Sequence, residues 1–483
     1  MLDVAIIGCG VVGAAAAYEL SKYQLDIVVL EKGNDVGQGT TKANSAIIHA
    51  GYDPRPGTLM ARLNVEGAAL AREICQKLDI LYRPCGSLVL ALTPAELPVL
   101  QMLYRRGLQN GVPGLRLLER AELLALEPQA NPAACGALLA ESAAIVCPWE
   151  FCLAMIETAI RNGVQLELNS EVQDIARIEN GYRIQTNGRA YEAHYVLNAA
   201  GVWADTIHNM VAAPSYRIFA NRGQYYLLDT CEGERISHVL FQCPDANGKG
   251  VLLAPTVYGN LIVGPNAEPA ARDDTATTAA GLDDVAKRAQ LSVPTVDLSQ
   301  SIRNFAGLRA VSDRDDFIIE EAADAPGFFD LAGIKSPGLS AAPAIAKMAA
   351  SLLVKAGATI LPRPNHIDSR RHLRPLMLTL EERQALIEKD PSYGHIICRC
   401  EGISEGEILA ALAGPVPPTT LDGVKRRCGA GTGRCQGGFC GRLVLHILAR
   451  EWGCQPTDIY QERVGSYILT GKTKEDEPHA NPL

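Results

Sequence analysis

The sequence of 483 residues has no long apolar run and no excess of basic side chains. No apolar run reaches the ~18 residues of a membrane-spanning helix. With 45 Lys and Arg against 54 Asp and Glu, the net charge is −9, which argues against a nucleic-acid partner. Because the first residues read as a buried strand and not as a basic leader, we expect a cytoplasmic protein without a transmembrane segment.

The composition is that of a folded chain with several domains. Hydrophobic residues make up 47% and charged residues 20%, so extensive disorder is not expected. The 14 cysteines would form disulfides only in an oxidising compartment, and we therefore expect thiols or metal ligands. Five of them lie between Cys398 and Cys440, which indicates a segment with its own chemistry.

The chain begins with the pattern of a parallel βαβ unit. Residues 3–8 and 26–31 read as strands around an alanine-rich helix at 11–22. Gly8, Gly10 and Gly13 lie between the first strand and the helix, and Glu31 ends the second strand. The glycines allow a tight turn at which a pyrophosphate faces the helix N-terminus. The Glu31 carboxylate can accept hydrogen bonds from ribose hydroxyls. This pattern predicts a dinucleotide site.

Local signals predict further elements. Apolar periodicity indicates a helix over residues 58–78, and short β-rich runs between residues 164 and 198 indicate strands that return to the first sheet. We also expect a strand at 327–332 and a helix at 342–355. Thr379 and Ser404, each with a glutamate three residues later, predict two helix starts.

Three further segments point to the identity of the dinucleotide. The loop at 37–45, the strand and turn at 196–205 and the loop at 331–340 resemble FAD-contacting segments of the glycine oxidase and D-amino-acid oxidase superfamily. The resemblance implies FAD as the cofactor. It implies FAD contacts from Gly8, Gly10, Val12, Gly13, Glu31, Lys32, Gly39, Thr40, Thr41, Asn44, Ser45, Val172, Ala200, Gly201, Trp203, Gly307, Gly333, Lys335, Gly338 and Leu339.

The cysteine-rich segment carries two close pairs of thiols. Cys398 and Cys400 form the first pair, and Cys435 and Cys440 the second. Four thiolates can hold either a [2Fe-2S] cluster or tetrahedral zinc, and the spacing leaves both open. The segment resembles the bacterioferritin-associated-ferredoxin-like [2Fe-2S] domain, which implies a cluster on these four cysteines. We treat Cys428 as a bystander.

These features predict the architecture. The resemblance implies an α/β fold, with a Rossmann-like FAD-binding domain interleaved with a β-rich substrate domain and a small C-terminal α-rich iron-sulfur domain. We expect an oxidoreductase region at 1–365, with an FAD lobe at about 1–82, 145–212 and 325–360 and a substrate lobe at about 83–144 and 213–324. A linker at 366–392, the [2Fe-2S] domain at 393–465 and a disordered tail at 470–483 follow.

A histidine and several cations are candidates for the chemistry. Residues 49–86 resemble the L-2-hydroxyglutarate oxidase family, and the whole layout resembles the catalytic subunit of anaerobic FAD-dependent glycerol-3-phosphate dehydrogenase. These resemblances imply oxidation of a secondary alcohol on a small anionic substrate, for which His49 is the candidate base. Arg309 and Lys335 match family positions that would hold the anion. Further candidates are Tyr52, Arg222 and Tyr226.

We therefore predict an FAD-dependent dehydrogenase, with glycerol 3-phosphate as first choice of substrate. Its electrons would pass through the [2Fe-2S] cluster to a second flavoprotein or a membrane-anchoring electron-acceptor subunit, and such a subunit would place the chain peripherally at a membrane. Tyr52-Asp53-Pro54 stands where glycerol-phosphate enzymes usually have an arginine, so 2-hydroxy acid oxidation of the L-2-hydroxyglutarate type stays open. An amine or imino-acid dehydrogenase of the proline, hydroxyproline or opine type stays open as well, and so does a non-catalytic electron-relay subunit.

Overall fold

A computed structural model describes residues 1–244, 250–471 and 473 of the chain. Apart from residues 470, 471 and 473, the predicted tail at 470–483 lies outside the described residues. The chain divides into two compact units, Met1–His372 and Leu373–Leu483. The predicted boundary near residue 365 precedes this division, and the exact domain limits stay predictions. No helix in the described ranges is long and apolar enough to cross a bilayer.

The first unit alternates strands and helices along the chain. Its strands are β1 (Leu2–Ile7), β2 (Ile27–Leu30), β3 (Ile47–Ile48), β4 (Tyr82–Pro84), β5 (Ser87–Ala91), β6 (Leu115–Glu119), β7 (Gly136–Ala140), β8 (Ala144–Val146), β9 (Gln165–Glu167), β10 (Val172–Ile178), β11 (Gly181–Thr186), β12 (Ala190–Asn198), β13 (Ile218–Leu228), β14 (Val239–Gln242), β15 (Leu252–Pro255), β16 (Leu261–Gly264), β17 (Glu268–Pro269), β18 (Ser301–Ser312), β19 (Ile318–Glu321) and β20 (Phe328–Ala332). Its helices are α1 (Val11–Leu20), α2 (Leu59–Lys77), α3 (Leu97–Gln109), α4 (Arg120–Leu126), α5 (Pro148–Arg161), α6 (Ala204–His208), α7 (Ala279–Ser292) and α8 (Gly338–Lys355).

The first sheet carries the predicted dinucleotide unit. Its strands run β10-β11-β12-β1-β2-β9, and β20 joins β12 and β19. The central pairs β1–β2, β1–β12, β2–β9 and β12–β20 are parallel, as the predicted βαβ unit requires. Strands from residues 164–198 return to this sheet, which confirms that prediction. β19 falls within the predicted substrate segment 213–324 but pairs with β20 in this sheet.

Helices cover the first sheet because their small side chains allow close packing. α1 is rich in alanine and packs against α5 and α8, and α2 also packs against α8. The Thr58 side chain caps α2 by accepting the Ala61 N–H, as the predicted helix at 58–78 implies. The predicted helix start at residue 342 is four residues too late, because α8 starts at Gly338. The helix continues through Pro343, which lies inside it. Proline there removes one backbone hydrogen bond, and burial of the surrounding alanines stabilises the helix.

The second sheet forms a separate layer with a core of its own. Its strands run β17-β13-β16-β15-β14-β5-β7-β6, and β18 pairs with β13 along nearly its whole length. Leucine, valine and alanine side chains from these strands and from α7 form its core. A smaller sheet, β3-β8-β4, supports the segment that carries His49.

The second unit contains the cysteine-rich segment. It holds strands β21 (Ile396–Cys398) and β22 (Ile403–Ser404) and helices α9 (Leu380–Lys389), α10 (Glu405–Leu412), α11 (Leu421–Cys428) and α12 (Cys440–Trp452). The side chains of Thr379 and Ser404 accept the N–H of the third residue of α9 and α10, which confirms both predicted helix starts. A core that includes Cys398 and Cys440 joins β21 to α12.

Candidate active site and cysteine centre

The glycine turn after β1 requires its glycines. Gly8 has φ +95°, a conformation that L side chains rarely adopt. A Cβ on Gly13 would lie 2.0 Å from the Gly8 carbonyl oxygen, so a side chain there cannot be accommodated. Gly10 is the N-cap of α1 and has no side chain to cap it, so the N–H groups at the helix start, apart from that of Val11, are open to an anion. This turn fits the pyrophosphate of FAD.

The Glu31 carboxylate lies beneath this turn. Its oxygens accept the N–H groups of Cys9 and Gly33, each at 2.8 Å. Burial raises the pKa of Glu31 although both N–H groups act to lower it. Each carboxylate oxygen keeps a further lone pair, so Glu31 can also accept from a ribose hydroxyl.

The loop after β2 connects the glycine turn to the second sheet. Thr41 Oγ1 accepts the Val11 N–H at 2.9 Å, and Thr40 Oγ1 donates to the Leu308 carbonyl at 2.5 Å. A Cβ on Gly307 would lie 1.9 Å from the Ala43 carbonyl oxygen, so β18 approaches this loop closely. The predicted FAD residues 39–45 and 307 therefore adjoin one another.

The remaining predicted FAD residues lie at the ends of elements of the first sheet. Lys32 Nζ lies 4.4 Å from the centroid of the Trp203 ring, in the turn that follows β12. Gly333 follows β20 with φ +64° and opens the loop that leads into α8. The others are placed as follows: Val12 in the first turn of α1, Gly39 and Asn44 around the 3-10 turn at Thr40–Lys42, Ser45 before β3, Val172 at the start of β10, Ala200 and Gly201 after β12, and Gly338 and Leu339 at the start of α8.

His49 follows β3 and contacts the loop that begins α8. Its N–H donates to Ser340 Oγ at 2.7 Å, and its Nε2 lies 3.3 Å from Ser336 Oγ. The Phe241 ring lies 5.8 Å from the imidazole, centroid to centroid. Lys335 precedes Ser336 in the same loop. Ser336 and Ser340 were missed as site residues, although both lie within the loop that resembles the superfamily.

Arg309 is held by neutral groups. On β18 it lies opposite Asn221, whose side-chain oxygen accepts from Nη1 at 2.7 Å, and the Asn266 carbonyl accepts from Nη2 at 3.2 Å. Within the described residues, no carboxylate lies within 4.0 Å of Arg309 or Lys335. Both cations therefore keep a charge that an anionic ligand can neutralise. The sequence alone did not identify Asn221 or Asn266.

Three other candidates have protein partners or lie in the core. Arg222 is buried and forms ion pairs with Glu268 at 3.1 Å and Asp274 at 2.7 Å. Tyr52 packs in an apolar core, and burial raises its pKa. Tyr226 donates to the Leu282 carbonyl at 3.3 Å and packs against the core of the second sheet. Their roles toward a substrate stay predictions.

The four predicted cysteine ligands form two pairs. Cys400 and Cys435 have their sulfur atoms 3.6 Å apart, and Cys398 shares a hydrogen bond with Cys440. That hydrogen bond and the N–H groups of residues 431, 401 and 400 lower the pKa of Cys398 to about 5. The N–H groups of residues 437–439 lower the pKa of Cys435. Backbone donors thus already point at sulfur, as a negatively charged cluster requires.

The pairing also agrees with a centre of two irons. A [2Fe-2S] cluster takes four thiolates, two on each iron, so two pairs suit its donor set. Cys428 instead donates to the Val424 carbonyl at 3.4 Å, and burial raises its pKa to about 12.

Comparison with known proteins places both units. Residues 3–352 match the family described as FAD dependent oxidoreductase, and residues 396–450 match the BFD-like [2Fe-2S] binding domain. The chain is 50% identical over 479 residues to glycerol 3-phosphate dehydrogenase of Caloramator mitchellensis, across 99% of this chain and 100% of the relative. It is 31% identical over 378 residues to the mitochondrial L-2-hydroxyglutarate dehydrogenase of Bos taurus, across 66% and 80%.

A solved structure supports the same assignment. Dithionite-reduced L-alpha-glycerophosphate oxidase from Mycoplasma pneumoniae with FAD bound matches with a TM-score of 0.73 and 31% identity, across 77% of this chain and 99% of that one. The predicted α/β fold class and the predicted resemblances are confirmed.

Proposed function

Because this chain belongs to the FAD-dependent oxidoreductase family and binds FAD and a [2Fe-2S] cluster, we propose that it oxidises the secondary alcohol of glycerol 3-phosphate. The relative that matches over the full length supports this substrate class. The observation that carries the proposal is Arg309, a cation held by Asn221 and Asn266 and not neutralised by a carboxylate of the described residues. A phosphate can complete its coordination.

The reaction removes a hydride from carbon and a proton from the hydroxyl group, which leaves a ketone. FAD supplies the chemistry that accepts the hydride. We assign the proton to Nε2 of His49, since Ser336 contacts this ring nitrogen and Ser340 accepts the backbone N–H of His49 at the start of α8. The Ser340 contact fixes the backbone of His49, and the Ser336 hydroxyl orients the ring.

Two cations hold the anionic end of the substrate. Arg309 can donate to two phosphate oxygens in a fork, and its Asn221 contact fixes the guanidinium plane. Lys335, one residue before Ser336, can add a point charge from the same loop. A substrate held in this way presents its hydroxyl in a fixed orientation. The fixed orientation lowers the barrier of the reaction, in addition to the effect of binding on affinity.

We propose that the [2Fe-2S] cluster releases the two electrons singly to a partner. The partner would be a second flavoprotein or a membrane-anchoring electron-acceptor subunit, and the latter would hold the chain peripherally at a membrane. The backbone N–H groups at Cys398 and Cys435 support this use, because they stabilise the added negative charge of a reduced centre.

Anaerobic mixing of the protein with single substrates tests the proposal. We expect glycerol 3-phosphate to bleach the flavin absorption, while glycerol, which lacks the phosphate, does so far more slowly. Faster bleaching by 2-hydroxyglutarate would establish the hydroxy-acid alternative, to which the Bos taurus relative points. Bleaching by proline or sarcosine only would establish amine oxidation, and bleaching by none of these compounds would leave an electron-relay role.

A further inference from the structure

The surface around the cysteine pairs is basic, although the whole chain is acidic. The cysteine-bearing segments 396–401 and 429–446 contain Arg399, Arg434 and Arg442 and one acidic residue, Glu401, whose carboxylate lies beside Gly433, whereas the chain has a net charge of −9. All three arginines are exposed. Within the described residues, Arg399 and Arg442 have no carboxylate within 4.0 Å. Their charge therefore faces solvent.

An exposed aromatic ring lies in the same place. Phe439 is 83% exposed, the largest exposed fraction among the large hydrophobic residues of the described chain. It precedes Cys440, and its N–H donates to the Cys435 sulfur, so the ring belongs to the cysteine centre. Arg442 and Leu443 follow three and four positions later on α12 and share its face.

The opposite face of α12 is buried. Val444, Leu445 and Leu448 pack in the core of the second unit, so this helix has no need of Phe439 for its stability. Cys400, whose sulfur contacts that of Cys435, is itself exposed. The cysteine centre thus has an exposed thiol, Cys400, directly after Arg399 in the chain.

We propose that Arg399, Phe439, Arg442 and Leu443, here called the cysteine face, dock an acidic one-electron carrier protein. The charge selects a partner with carboxylates around its redox group, and Phe439 supplies the desolvated apolar contact at the centre. This inference rests on the proposed release of electrons through the cluster. It does not depend on which substrate reduces the flavin.

Equilibrium binding to the full-length protein, loaded with FAD and cluster, tests the cysteine face. The probes are flavodoxin, an acidic carrier, and cytochrome c, a basic one, each measured by calorimetry at low and at moderate salt. We expect flavodoxin to bind, its affinity to fall with salt, and cytochrome c to bind more weakly. Absence of flavodoxin binding at low salt, or tighter binding of cytochrome c, would overturn the proposal.

Charge variants locate the contact. R399E/R442E should weaken flavodoxin binding about tenfold or more and flatten its salt dependence. F439S should weaken binding several-fold with the salt dependence retained, since it removes an apolar contact. R463E reverses the charge of one exposed arginine outside the cysteine-bearing segments, which is half the charge change of R399E/R442E, and it should leave the affinity unchanged. Equal losses in R463E and R399E/R442E would refute a specific face.

Visible absorbance of every variant reports whether the cluster is still bound. If R399E/R442E loses the cluster, the neutral variants R399Q and R442Q replace it, with a smaller expected loss of affinity in the same direction. Sedimentation tests whether a second copy of this chain binds the cysteine face instead. Self-association that R399E/R442E abolishes would assign the face to a homodimer and overturn the proposal. Failure of glycerol 3-phosphate to bleach the flavin would leave these binding results unaffected.

Discussion

The Nε2 atom of His49 lies 3.3 Å from the hydroxyl oxygen of Ser336, although 287 positions separate the two residues. The contact joins the end of β3 to the loop that begins α8, so Ser336 orients the imidazole. Loss of a general base costs about 10²–10⁴-fold in rate. We therefore expect H49N to slow flavin reduction by glycerol 3-phosphate by that factor, measured by anaerobic stopped flow, with the flavin content unchanged.

Ser336 should act on the rate only through His49. S336A removes one hydrogen bond, worth about 1 kcal/mol, so we expect a loss of up to about tenfold and a shifted pH profile of flavin reduction. S336T retains the hydroxyl and should restore both. A rate for H49N close to that of the unmodified protein would contradict the assignment of the base.

Arg309 and Arg222 form a matched pair for the second prediction. Arg222 lies on β13 and Arg309 on the paired strand β18, but Arg222 is neutralised by Glu268 and Asp274. A hydrogen bond to a charged group is worth about 1.5–3 kcal/mol, so R309M should lower kcat/KM for glycerol 3-phosphate about 10- to 100-fold. The slow reaction of glycerol should not change, because glycerol has no phosphate.

R222M provides the comparison. It leaves two carboxylates without their cation, so we expect a lower thermal stability with a nearly unchanged KM. A larger rise in KM for R222M than for R309M would instead give Arg222 the substrate role that the sequence suggested.

Local patterns predicted much of the fold, while the site needed contacts between distant segments. The glycine turn, the helix near residues 58–78 and the helix starts at Thr379 and Ser404 depend on residues a few positions apart, and the structure has them. The ion pair of Arg222 with Glu268 depends on the pairing of β13 with β17, and the contact of Arg309 with Asn221 depends on the pairing of β13 with β18, which no local pattern encodes. His49 meets Ser336 only once β3 and α8 pack together.

The glycine turn gives a third prediction, on cofactor binding. G13A places a Cβ 2.0 Å from a backbone oxygen, which cannot move without opening the turn. Overpacking of this kind costs about 1–3 kcal/mol, so we expect flavin affinity to fall about tenfold or more. G188A is the control, because its nearest neighbour atom would be 4.0 Å away on the hairpin of the same sheet. Full flavin content in purified G13A would contradict the placement of the pyrophosphate.

The cysteine pairs give a fourth prediction. C435S should lose the visible absorption of the cluster, since one of four thiolates is removed. C428A should retain it, because Cys428 donates to Val424 and not to the other thiols. Metal analysis gives two irons per chain for the [2Fe-2S] cluster. One zinc per chain would establish the structural alternative, and loss of the cluster in C428A would show that the ligand set includes that residue.

A buried histidine gives a fifth prediction, on the pH dependence of stability. His208 is 2% exposed, and its Nδ1 lies 2.6 Å from Oδ2 of Asp330, whose other oxygen, Oδ1, accepts from Asn198 and Tyr216. Burial alone would lower the pKa of His208, but the Asp330 hydrogen bond and charge outweigh it and raise the pKa above its usual value.

Protonated His208 is therefore favoured in the folded state over the unfolded state. Its stabilisation is fully present below the unfolded pKa of about 6.5 and is lost as the pH rises through the higher folded pKa. We expect the unfolding temperature of the unmodified protein, followed by flavin fluorescence, to exceed that of H208Q most at pH 6. The excess should shrink steadily toward pH 9, since the neutral imidazole then interacts with Asp330 little more than the glutamine does. A difference that is constant over this range would show that His208 is already neutral beside Asp330, and that the network is held by hydrogen bonds alone.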